Sequence, residues 1–184
     1  MSRRQPAPIR SLVARWRVCG LAAVCLASCT GAPDWRELAP AGLSLRFAFP
    51  CRPDAAERRL TLAGAEVRWQ LWSCTDDAQT FALASAVLAD PTAVASVLEQ
   101  LGQRARSNLG ARVESDAAAV VPGMTPQPAA RRWRLAGRLA DHREVVEELA
   151  VFAYGARVYQ ATVIGRSPER AQVQRFFEQL QVVP

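Results

Sequence analysis

The chain contains no lysine: all 23 of its basic residues are arginine, and it has a single histidine, His142. The missing lysines fit genomic base composition better than a function, but one histidine narrows the available chemistry. A Ser-His-Asp hydrolase would have to use His142, and no Gly-x-Ser-x-Gly elbow supplies a nucleophile. A zinc site wants three or four converging ligands. Asp141, Glu144, Glu147 and Glu148 stand near His142, yet neighbours on extended chain point to opposite faces, and the histidine falls in a predicted turn. His142 therefore reads as an exposed turn residue, with a metal or general-base role as the alternative. The 10 glycines are scattered and form no phosphate-cradling loop. Long apolar runs are missing too: residues 18–27 would reach only ~15 Å as a helix, half of a ~30 Å hydrocarbon core.

What is present begins with charge, and its placement matters more than its sum. The formal net charge is +6, but Arg3, Arg4, Arg10, Arg15 and Arg17 precede residue 29 with no acid among them. Removing those five of 23 leaves 18 basic against 17 acidic residues, a net of +1, so no basic face for nucleic acid is indicated. At 184 residues the chain has the length of one domain with a short appendage.

The N-terminus has the grammar of an export signal: a positive segment through Arg17, the apolar run 18–27, then small residues. Leu26-Ala27-Ser28-Cys29 resembles the lipobox of bacterial lipoproteins, in which the signal peptidase cuts before a cysteine already carrying diacylglycerol. That resemblance makes residues 1–28 a removed signal, Cys29 the lipid-attachment site and membrane anchor (diacylglycerol plus an N-terminal acyl chain such as palmitate), and 29–41 a lipidated N-terminus and tether. An ordinary secretory signal with an unmodified Cys29 is the alternative. Arg3-Arg4 is a weak twin-arginine signal, since Gln5-Pro6 follows and the apolar run lies far downstream. Thr30, after the anchor, is not the aspartate that holds lipoproteins at the inner membrane of enteric bacteria, which favours the periplasmic face of the outer membrane.

Five cysteines can then be sorted by position. Cys19 and Cys25 leave with the signal and Cys29 is acylated, which leaves Cys51 and Cys74 in a compartment where disulfides persist. They are expected to pair. A reactive thiol pair would need a Cys-x-x-Cys spacing or an activating neighbour, and neither is visible.

The domain is expected over 42–184. Leu43, Leu45, Phe47 and Phe49 alternate as a strand ended by Pro50. Leu60 and Leu62 mark a second, Gly64 a turn, and Val67, Trp69 and Leu71 a third, closed by Cys74. Residues 80–88 read as a fourth strand buried on both faces. Asp90-Pro91 opens a helix that stops at Gly110. Residues 112–121, 131–139, 145–154 and 157–165 read as four further strands, and Ser167-Pro168 opens a closing helix with Val173, Phe176, Phe177 and Leu180 on one face. The class is α+β, antiparallel sheet flanked by helices, in the order ββββαββββα.

That order, the Leu45-Arg46-Phe47-Ala48-Phe49-Pro50 strand and the terminal Phe176-Phe177-x-x-Leu180 resemble the PsbP-like α/β/α sandwich. An extrinsic photosystem protein, a Ran-binding nuclear-import factor and bacterial lipoproteins such as DcrB share it. The resemblance implies a scaffold that binds partners, and no binding residue carries over, because fold does not give function.

Trp69 and Trp133 lie on apolar faces as core. Trp72, on the polar face with Arg68 and Gln70, is the candidate partner surface. The expectation is a lipid-anchored periplasmic binding or assembly module without catalytic activity or cofactor, meeting envelope proteins. The alternative is a small-ligand carrier with a pocket between sheet and helix.

Overall fold

Strand alternation, turn residues and helix caps together produce ten strands and two helices in residues 34–184, the part that the computed structural model describes. The expected signal, Cys29 and Thr30 lie outside the described residues. In chain order the elements are β1 (Arg36–Leu38), β2 (Leu45–Phe49), β3 (Asp54–Leu62), β4 (Ala65–Asp76), β5 (Gln79–Val87), α1 (Val94–Leu109), β6 (Arg112–Ala118), β7 (Arg131–Arg138), β8 (Glu144–Tyr154), β9 (Arg157–Gly165), α2 (Arg170–Glu178) and β10 (Gln181–Val182). The class is α+β, mostly strand. β3-β4-β5-β9-β8-β7-β6 form a seven-stranded sheet and β1-β2-β10 a three-stranded one, and every pairing is antiparallel. The large sheet is two meanders joined through α1, which carries the chain from the middle of the sheet to its far edge.

Local chemistry explains most of the boundaries. Ala63 and Gly64, both at positive φ, make the two-residue turn between β3 and β4 that suits the twist of a hairpin. The Asp90 side chain accepts from the Thr92 amide at 2.8 Å, with Pro91 opening a short 3-10 turn that leads into α1. Gly110, left-handed at φ 52°, closes that helix.

Residues paired across strands share a sheet face. Trp133, Leu149, Thr162 and Ala82 lie on one face in register, and α1 covers it, with Gly102 seated against the Trp133 ring. Cys74, Phe81, Val163 and Glu148 lie on the other. There Phe176 of α2 stands 5.4 Å from Phe81 and 5.6 Å from Phe49, and Phe47 stands 5.9 Å from Trp72. Helix α1 is thus one layer, the large sheet the second, and α2 with the small sheet the third. The buried Tyr159 hydroxyl donates to the Leu43 carbonyl at 2.7 Å and fastens the segment before β2 onto the sheet.

Several expectations change. The stretch read as tether to residue 41 is folded from Arg36 on, because β1 pairs with β2 and Trp35 packs edge-on against Phe81 at 6.2 Å. The strand around Leu60 and Leu62 begins at Asp54, since β4 gives the exposed residues 54–59 a partner along their whole length. The closing helix is capped by Glu169, whose carboxylate accepts from the Ala171 and Gln172 amides, and it opens two residues after Ser167-Pro168. A final strand, β10, follows it along β2. Cys51 and Cys74 form a disulfide with Cα atoms 6.0 Å apart. The bridge joins the end of β2 to β4, so it ties the small sheet onto the face of the large one.

Candidate functional site

Strand β8 carries two consecutive acids, and the pleat sends them to opposite faces. Glu148 points to the α2 side, where Arg134 Nη1 and Arg132 Nη2 donate to its two oxygens at 2.9 and 3.0 Å. Arg134 continues to Glu114 at 3.0 Å, and the Arg132 guanidinium lies 3.9 Å over the Phe177 ring. That face is a neutralised ladder. Glu147 points to the α1 side among apolar neighbours, with Leu135 opposite it on β7 and Ile164 on β9. It is 7% exposed and makes no hydrogen bond or ion pair among the described residues. Burial pushes its carboxyl up to about 7, because a charge without donors is costly in apolar surroundings.

Glu147 lines a cleft of about 300 Å³ between α1 and the sheet. Its apolar walls are Trp69 of β4, Leu60 of β3, Leu101 of α1 and Ile164 of β9. Its polar groups are Gln160, Asn108 and Arg104. The way α1 is seated creates the opening. Glycines bring the helix hard onto β7: a Cβ at Gly102 would collide with the Trp133 ring, and one at Gly137 with the Leu109 carbonyl. On the other flank, toward β3 and β4, Trp69 and Leu60 line the space beside the helix. Arg104 at the rim donates to the Thr61 carbonyl at 2.7 Å, and Gln160 Nε2 donates to Thr162 Oγ1 at 3.4 Å.

Four larger hollows, of about 630, 510, 450 and 440 Å³, lie beside Gly137, between residues 117–122 and α2, between Thr75 and Arg143, and around Arg134 and Gln174. Their charged side chains are exposed or partnered, as Arg138 is with Glu144 and Arg132 with Glu148. None of the four holds an unpartnered buried acid.

The residues singled out from sequence are placed as follows. His142 sits exposed in the turn before β8 at φ 65°, beside an Asp141 carboxylate that Arg143 engages at 2.6 Å. Among the described residues no group of three or more His, Cys, Asp or Glu is placed to hold a metal ion. Trp69 and Trp133 are buried. Trp72 shares a face with Arg68 and Gln70, but Phe47 of the small sheet packs on its ring and half-buries it. Arg68 is exposed and pairs with Glu57 at 3.3 Å, and Gln70 is half-buried. Sequence reading counted Glu147 only as a neighbour of His142. The run is apolar on both faces, with Val145, Leu149 and Val151 beside Glu147 and Val146, Ala150 and Phe152 beside Glu148, so its pattern marks two acids in a buried strand without separating them.

Among the described residues no helix is long and apolar enough to cross a membrane. No protein-family model matches the chain, and no curated protein matches it.

Proposed function

We propose that this chain is a lipid-anchored module of the bacterial envelope that binds a small molecule in the cleft under α1 and carries out no chemistry of its own. In this reading residues 1–28 are removed, Cys29 holds the lipid, and the domain stands at the periplasmic face of the outer membrane. The layering of α1, large sheet and α2 with the small sheet supports a PsbP-like, DcrB-like scaffold, which serves binding.

The single observation carrying the small-ligand reading is Glu147: an acid 7% exposed, its carboxylate still reached by solvent through a cleft of mixed apolar and polar walls, with no donor from its own chain. Ligand sites are apolar hollows with a few converging polar groups, and about 300 Å³ is the lower end of their usual size. The reading in which the domain instead docks envelope proteins through Trp72, Arg68 and Gln70 loses its aromatic anchor to Phe47.

The test is native mass spectrometry of the full chain gently extracted from its own membranes. We expect a protein mass carrying an acyl-modified Cys29 and a non-covalent low-mass adduct that disappears in Glu147→Gln. A specific protein partner found by crosslinking, lost in Cys29→Ser and accompanied by no adduct, would overturn the small-ligand reading in favour of assembly.

A further inference from the structure

We infer that the occupant of the cleft is a small amphipathic amine, its ammonium group on Glu147 and its compact apolar body against Trp69 and Leu101. The inference rests on the small-ligand reading and names the chemistry of the ligand.

The charges in and around the cleft decide between ligand classes. Glu147 is 7% exposed and has no donor, while the nearest cation lining the space, Arg104, is exposed at the rim and turned to the Thr61 carbonyl. Arg104 is thus the one cation among the lining residues, and its guanidinium is held by a backbone carbonyl and makes no ion pair with the acid. An anion entering apolar-end last would bring like charge to Glu147, and such close pairs disfavour each other strongly. A neutral alcohol offers one donor. An ammonium offers three donors and a full charge, which suits the two Glu147 oxygens that the chain leaves without a donor. The remaining walls suit the rest of such a molecule: Trp69 supplies an aromatic surface that attracts cations as well as apolar carbon, and Leu60, Leu101 and Ile164 supply aliphatic surface. The volume limits the body to the size of one ring with a short arm.

The contrast with the opposite face strengthens the assignment. Glu148, one residue away, is satisfied by two arginines of this chain. The chain thus neutralises an inward acid where structure requires it and leaves the one in the cleft open.

The experiment uses the full chain in detergent micelles at pH 7.5, titrated with 2-phenylethylamine, 2-phenylethanol and 3-phenylpropionate and followed by amide chemical shifts. We expect the amine to perturb Trp69, Leu101 and Glu147 and to bind at least tenfold more tightly than the other two. Glu147→Gln should erase that preference. Equal or tighter binding of the alcohol or the acid in the cleft would overturn the amine assignment and leave the small-ligand reading standing. No perturbation of the cleft by any of the three would overturn both.

Discussion

Glu147 has a donor-free environment, and its neighbour Glu148 has two arginine partners, so the two residues should respond to pH and mutation in opposite ways. Burial raises the Glu147 carboxyl from 4.5 to about 7. The folded chain therefore holds a proton that the unfolded chain has already released between about pH 4.5 and 7. Stability falls as pH rises across that window and stays at its lower level above it. The shift corresponds to about 3 kcal/mol at 1.36 kcal/mol per unit. Glu147→Gln removes the charge, so the variant should be more stable than the parent by up to about 3 kcal/mol at pH 8 and close to it at pH 4, as read from urea melts. Identical pH dependence in the two proteins would show that Glu147 is not desolvated. In the opposite direction, Glu148→Ala strips Arg132 and Arg134 of their shared carboxylate and should destabilise at every pH where that carboxylate is ionised. None of this was legible from residue type, since Glu147 and Glu148 are the same amino acid and only the facing strands tell them apart.

Among the elements, α1 sets the cleft, and two glycines set α1. Gly102→Ala adds a methyl group where the Trp133 ring already lies. Overpacking of that kind costs about 1–3 kcal/mol, only partly offset by the roughly 1 kcal/mol that alanine gains over glycine in a helix. We expect a lowered Tm by calorimetry, recovered in large part by adding Trp133→Phe, whose smaller ring also removes a buried indole N–H that has no partner. An unchanged Tm in Gly102→Ala would contradict the close seating of helix on strand. Helix α1 itself was readable in the sequence, from the Asp90-Pro91 start, the apolar spacing and Gly110. So were β4, β5 and the meander β7-β8-β9, whose alternation or apolar content is long enough to register. The strands β1 and β10 were not, because three and two residues carry no period, and what makes them strands is the edge of β2 on either side. The exposed half of β3 was hidden for the same reason: its conformation comes from β4 and not from its own pattern.

For the whole molecule, the feature that joins the layers is the Cys51–Cys74 bridge, which spans a sequence separation of 23 and was foreseeable once the other cysteines had been assigned to the signal and the anchor. Closing a loop of that size stabilises by about 3 kcal/mol on the chain-entropy argument, so reduction, or Cys51→Ser with Cys74→Ser, should lower unfolding stability by about that amount. Loss should begin in the small sheet, seen as faster amide exchange in β2 than in β9. Uniform exchange would mean that the small sheet is held without the bridge. The cleft, by contrast, needs residues from β3, β4, α1, β8 and β9 to meet, a convergence that no local pattern encodes. What the account depends on most is that Glu147 stands there buried and unpartnered. Selective carbon labelling of the Glu147 carboxyl in the full chain, titrated by NMR, tests this directly: a midpoint near 7 is predicted, and a midpoint near 4.5 would contradict it.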